Sequence, residues 1–379
     1  MPLRRLTKFS RIELEGERDQ LRAQIAALTE ILEDPTRLRA VVGDELAEMA
    51  QQHGTPRRTI LLASSGVAAT ISTAPIEVAD DPCWVLLSSA GLMARTNDAE
   101  PLATEGPRAN HDVIVSRVRA TARSEVGLVT SRGRLVKVSV LDLPTVPTTA
   151  NAPNLQGGAS VVELVNLEGD EGVLGLTTLT PDSLGLALGT ARGVVKRVNP
   201  EVMAKDSWDL IRLEADDEVV GAVELAGTDV ELTFVTSDAQ LLHFPADGVR
   251  PQGRAGGGIA GIKLAPGARV TYFGAVPRGE AVLVSVSGTS KALPGTDAGS
   301  VKVTRFTEYP AKGRGTAGVR CHRFLKGEDT LLLAWAGPTP AVAAAASGSP
   351  VELPAADQRR DGSGVSLGQP LAAVSSRSH

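Results

Sequence analysis

Lysines and arginines recur at matching places along this chain, and their chemistry is phosphate neutralisation. Arg132, Arg134, Lys137, Lys196 and Arg197 sit at or just after short polar turns. Arg250, Arg254 and Lys263 flank the glycine-rich GRAGGGIAGIKL (253–264). Lys312, Arg314, Arg320, Arg323 and Lys326 surround GRGTAGVRCHRF (313–324), and Arg359 and Arg360 open RRDGSGVSL (359–367). Cations repeated on equivalent loops would form a stripe matching the phosphates of a duplex, and glycines beside them let backbone N–H groups approach phosphate oxygens. The site residues expected to contact DNA are therefore Arg132, Arg134, Lys196, Arg197, Arg254, Lys263, Lys312, Arg314, Arg320, Arg323, Arg359 and Arg360. The alternative is ordinary surface charge offsetting nearby acidic turns. The formal net charge of −5 argues against a general polyanion binder, so any nucleic-acid contact needs a local basic face.

Other chemistries find little support. GGGIAG (256–261) satisfies G-x-G-x-x-G in form, but it follows no strand pattern, opens no helical pattern and has no acidic residue about 20 positions on. Its glycines read instead as sites of positive φ or close backbone approach. His53, His111, His243, His322 and His379 show no metal spacing and read as surface or satisfied side chains. Cys83 and Cys321 lie far apart and read as buried thiols. Tyr272, in the apolar TYFGAV, and Tyr309, in EYPAKGRG, read as packing residues rather than nucleophiles. Neither a catalytic residue nor a metal or cofactor site is expected in this chain.

The elements that carry the basic residues repeat. Six stretches share an apolar run, a polar turn and a second apolar run: 83–95, 127–140, 184–198, 231–244, 281–293 and 340–354. Their turn residues are Gly91, Gly133, Gly193, Ala239, Gly288 and Gly348, spaced 42 to 60 residues apart. That period with strand-type units predicts a propeller-like array. An acidic turn and apolar strand (169–179, 215–225, 326–336) are expected to precede the hairpin of each blade, with the acids solvated. A glycine-rich, often basic part follows each hairpin. Aromatics are only 3% of residues, so small aliphatics must fill the core, and Gly 39 with Pro 23 suits a turn-rich β protein. No apolar run approaches a membrane span of roughly 18–20 residues, and the charged start lacks a signal region, so a cytoplasmic chain is expected.

Ahead of the array, residues 10–53 predict two helices. Leu14, Arg18, Leu21, Ile25, Leu28 and Leu32 form a heptad seam with one charged position. Asp34 is the expected N-cap of the second helix and Pro35 its first residue. Leu38, Val42, Leu46 and Met49 share one face of that helix. The domain expectation is a helical remnant over 1–58, a connector over 59–75 with a strand beginning near 59–62, and the β array over 76–374.

LRRLT (3–7), AALTEILEDPTRL (26–38) and HGTPRRT (53–59), followed by six β repeats, resemble the C-terminal part of bacterial type II DNA topoisomerase A subunits, topoisomerase IV-like or gyrase-like. The resemblance implies a mainly β fold: a six-bladed β-pinwheel that binds and bends DNA, preceded by the end of the α-helical coiled-coil gate. It implies as partners double-stranded DNA and a topoisomerase B (ATPase) subunit, with homodimerisation as a possibility. Mg and ATP would be used by the complete enzyme through that B component. It also implies nucleoid association. The family's catalytic tyrosine follows an arginine in an upstream winged-helix domain; neither Tyr272 nor Tyr309 follows an arginine. This chain alone is thus expected to be inactive. Gyrases carry the basic box Gln-Arg-Arg-Gly-Gly-Lys-Gly in the first blade. EGPRANHDVIVSRV (105–118) lacks it, and QRRDGSG (358–364) is only a partial match in the last blade, which favours the decatenating and relaxing topoisomerase IV type. The competing expectations are a propeller scaffold that binds proteins through its acidic turns, a propeller enzyme with a central site, and a regulator acting through DNA occupancy or its helices.

Overall fold

The computed structural model describes residues 3–53, 78–227, 229–293 and 295–377, and its internal contacts divide the chain into a helical unit and a β unit. In the helical unit, α1 (Leu3–Glu33) and α2 (Pro35–His53) meet at Asp34. The Asp34 carboxylate accepts the Thr36 N–H at 2.8 Å, which satisfies one free donor of the new helix and makes Asp34 its N-cap. The seam residues Leu14, Leu21, Ile25, Leu28 and Leu32 are all exposed, as are Leu38, Val42, Leu46 and Met49. No described helix is long and apolar enough to cross a membrane. The strand expected near 59–62 and the connector lie outside the described residues, as does His379.

The β unit forms six sheets of related plan, mainly β as expected. Each is centred on one predicted hairpin: Pro82–Ser88 with Leu92–Thr96 in blade 1, Glu125–Thr130 with Arg134–Ser139 in blade 2, and Leu186–Thr190 with Val194–Val198 in blade 3. Blade 4 has Val230–Thr236 with Gln240–Pro245, blade 5 Ala281–Gly288 with Ser300–Arg305, and blade 6 Ala341–Ala344 with Pro350–Val351. Gly91, Gly133, Gly193, Ala239 and Gly348 all adopt positive φ in their turns. The fifth turn differs from expectation. The hairpin returns at Ser300, not within 289–293, and the residue before the returning strand is Gly299 (φ 60°), so Gly288 only begins a long insertion.

The blade assignment of the other two parts needs correction. Val173–Thr178 pairs with Glu125–Thr130, and Val219–Glu224 pairs with Leu186–Thr190. The apolar strand therefore completes the blade of the hairpin before it in the chain. The glycine-rich part is offset further. Thr145–Val146 and Ala159–Ser160, which follow the second hairpin, pair with Leu92–Thr96 of the first. Val319–Arg320 likewise follows the fifth hairpin and pairs with the fourth. Each outer element thus belongs to the preceding blade, which interlocks neighbours. Blade 6 receives its inner strand from Ala373–Ser376 and its outer cover from 106–113, where the His111 N–H meets the Gly348 carbonyl at 2.9 Å. A buried clasp seals this joint. Asp112 accepts from Arg108 at 2.7 Å and from Arg377 at 3.1 Å, while Arg108 also donates to the Ala343 carbonyl.

The core lies between blades. Along Ala281–Gly288, Ala281 and Leu283 pack toward blade 4, while Val282, Val284 and Val286 pack toward blade 6. Both faces of such a strand are covered, which is why these strands read as unbroken apolar runs. The inner strands surround a central cavity of about 1110 Å³.

Candidate nucleic-acid interface

The basic residues singled out by sequence fall into three physical groups. The first is tied to the acidic turns. Arg134 makes a paired contact with Glu171 (2.7 and 2.6 Å), and Arg132 meets Glu168 at 3.2 Å and Asp170 at 3.3 Å. The Glu171 side chain is fully buried. Burial alone pushes its carboxyl up, but hydrogen bonds from Arg134 and the Glu168 N–H outweigh this and hold it at about 2. The same use of acids recurs in blade 3, where Arg192 pairs with Asp216 and Arg269 with Glu218. In blade 5, Glu328 accepts from Ser287, Ser300 and the Leu325 N–H. The expectation that these acids are simply solvated is corrected for Glu171 and Glu328, and Arg132 and Arg134 serve as partners within the acidic turn of their own blade.

The second group is turned inward, Lys196 buried and Arg197 half-buried. Lys196 is 0% exposed, and its ammonium donates to the carbonyls of Leu210 (2.7 Å), Arg254 (2.9 Å) and Gly256 (2.8 Å). Those carbonyls belong to the outer elements of blades 2 and 3, so one lysine stitches two blades. Burial pushes its pKa down to about 8. Arg197 donates to the Ala246 and Val249 carbonyls. Lys196 and Arg197 are therefore corrected from rim contacts to structural ties, because the Lys196 ammonium and one guanidinium nitrogen of Arg197 already donate to carbonyls inside the protein. Lys302, absent from the sequence expectation, repeats the device in blade 5 by donating to the carbonyls of Cys321 and Arg360. Each lysine stands three residues after its turn glycine, Gly193 or Gly299. The misplaced fifth turn hid that equivalence.

The third group is exposed on outer elements. Lys263, Lys312, Arg314, Arg320, Arg323, Arg359 and Arg360 all face solvent, with Arg254 about half-exposed. Arg254 pairs with Glu201, Arg359 with Asp357, and Arg323 lies 3.9 Å from Asp361. Lys312 and Arg314 donate to the carbonyls of Gly318 and Ala260 while remaining exposed. Exposed Arg250, Arg305 and Lys326 join this group; the last residue of the returning strand in blade 5, Arg305, was missed with that strand. Backbone bonds join the outer elements of blades 3 and 4: Lys263 N–H to the Thr316 carbonyl (3.0 Å) and Gly315 N–H to the Gly261 carbonyl (2.6 Å). The glycines of 256–261 also let the outer stretch of blade 3 lie close against its neighbours. Gly258 has φ 82°, and a Cβ there would lie 2.6 Å from the Val194 side chain.

The remaining candidates pack as expected, with one exception. The Tyr272 hydroxyl donates to the Ala336 carbonyl at 2.7 Å and burial raises its pKa to about 12; Tyr309 is 2% exposed. Cys83 and Cys321 are buried free thiols. His322 is buried between Ser285 (2.9 Å) and Ser287 (3.0 Å). Ser287 donates its own proton to Glu328, so its oxygen accepts from Nε2–H while Nδ1 accepts from Ser285. The exception is His111, whose buried Nδ1 has no partner.

Comparison with known proteins fits this geometry. Residues 231–277 and 295–332 match the family model described as DNA gyrase C-terminal domain, beta-propeller. The chain is 29% identical over 334 residues to the DNA gyrase A protein of Mycobacterium bovis (strain BCG / Pasteur 1173P2), covering 84% of this chain and 37% of that protein. It is 26% identical over 352 residues to the corresponding protein of Streptomyces coelicolor, covering 88% and 39% respectively. The chain thus spans well under half the length of these relatives. Its fold matches a crystal structure of the C-terminal domain of DNA topoisomerase IV (TM-score 0.60, 18% identity, 78% of this chain and 93% of that one). It also matches a DNA gyrase A C-terminal domain (TM-score 0.51, 19% identity, 78% and 99%).

Proposed function

We propose that this chain, similar to the C-terminal part of type II topoisomerase A subunits, binds duplex DNA on its outer rim and presents it to the cleavage gate of a complete enzyme. The observation that carries the reading is the exposed basic group on outer elements of interlocked blades. A rigid rim with cations facing outward suits sequence-tolerant phosphate contact. In this reading 1–58 is the end of the coiled-coil gate, 59–75 a connector and 76–374 the DNA-binding pinwheel. A B subunit would supply ATP and Mg chemistry, in a cytoplasmic, nucleoid-associated assembly. The lack of the basic box in 105–118, whose first part covers blade 6 here, supports the topoisomerase IV type. The protein-scaffold alternative is weakened because Glu168, Asp170, Glu171, Asp216, Glu218 and Glu328 have internal partners. The test is affinity of the purified chain for a linear duplex across a salt series. Steep weakening with salt is expected; no binding at low salt would sink the reading and favour the scaffold.

A further inference from the structure

The rim's charge is unevenly distributed. The outer stretch of blade 4, residues 306–326, carries five Arg or Lys against one Glu, and that of blade 3, 246–264, carries three against one Asp. The other four stretches are net acidic. Residues 97–113 hold four acids and one Arg, 141–160 one acid and no Arg or Lys, 199–213 three acids and two bases, and 352–366 three acids and two bases. Like other neighbouring outer stretches, these two are joined by backbone bonds, here at Lys263, Gly261, Gly315 and Thr316, so their cations stand on one continuous ledge. Among the described residues no ion pair occupies Arg250, Lys263, Lys312, Arg314, Arg320 or Lys326, and all six are exposed.

Resting on the reading of the chain as a duplex-binding rim, we propose that DNA is gripped on the ledge of blades 3 and 4 alone. Blades 5, 6, 1 and 2 repel it. Within a Debye length of about 8 Å, like charge disfavours a phosphate backbone carried round the rest of the ring. The chain then acts as a cleat for one short stretch of duplex, not as a drum around which DNA winds. If these six cations each neutralise one phosphate, the slope of log affinity against log salt is about −5, roughly a thousandfold loss from 50 to 200 mM.

The experiment measures binding of a labelled duplex of about 40 base pairs, several helical turns and so longer than a two-blade footprint. The purified chain is compared with two triple variants, and end-to-end energy transfer is read on the same duplex. K263E/R314E/R320E removes ledge charge; K205E/R212E/K291E removes charge from exposed positions of blades 2 and 5. Because Arg314 also donates to the Ala260 carbonyl, K263E/R320E/K326E repeats the first test without touching that bond. Both ledge variants are expected to lose at least about a hundredfold in affinity and to flatten the slope by roughly two to three. The comparison variant should lose less than about fivefold, and the duplex ends should stay near their free separation. Equal losses in all variants, or strong shortening of the end-to-end distance, would overturn the two-blade grip while leaving DNA binding intact. Failure of the unmodified chain to bind would overturn the underlying reading and the grip with it.

Discussion

Replacing Lys196 by Met separates a stitch from a phosphate contact. The side chains have similar length, so the apolar surroundings stay filled, but the Leu210, Arg254 and Gly256 carbonyls lose their shared donor. Three hydrogen bonds to a charged donor are worth about 1.5–3 kcal/mol each. Relief from burying the ammonium returns several kcal/mol of that. The net expectation is a loss of about 3 kcal/mol. A β unit of roughly 300 residues has an unfolding entropy near about 0.6 kcal/mol/K, which makes this a fall of about 5 °C in Tm. Calorimetry and urea titration on the purified chain provide the assay, with duplex affinity measured in parallel below the transition. A stitch predicts lower stability with an unchanged salt slope. A Tm within about 1 °C of the unmodified chain, with a slope reduced by about one, would refute the assignment and restore Lys196 to the rim.

Three further outcomes follow from the same interior. Burial pushes His322 down to about 4 from 6.5, so stability is full above pH 6.5 and falls by about 3 kcal/mol as pH drops to 4, where only the unfolded chain takes the proton; H322Q should flatten urea midpoints across that window. Glu171, held at about 2 against 4.5, contributes stability present above pH 4.5 and lost as pH falls to 2, a range in which E171Q should remain level if the Arg134 pair is responsible. Asp112→Asn should cost about 3–5 kcal/mol by leaving Arg108 and Arg377 without their charge partner, with hydrogen exchange rising first in Ala373–Ser376; uniform exchange along the chain would contradict a clasp at the ring closure.

The hairpins were legible in sequence because each needs only local information: apolar runs of strand length and a turn residue that tolerates positive φ, as at Gly91 or Gly193. The capped break at Asp34-Pro35 was legible for the same reason. The long fifth turn was not, since Gly288 and Gly299 both fit the local grammar and only pairing with Ser300–Arg305 decides between them. Blade membership was equally hidden. Nothing in 154–164 indicates that it covers the previous hairpin, because that choice is made by contacts between distant segments. For the basic residues, sequence supplied charge and repetition. Whether each lysine faced water, an acid or a carbonyl depended on burial. Arg320 and Lys196 read alike in the chain, yet one is exposed and the other is sealed beneath two blades. The sequence alone determined a six-part β array with cations on recurring loops, through local periodicity and turn chemistry. The tertiary structure decided which cations remained free, because donors enclosed between interlocked blades are satisfied within the protein.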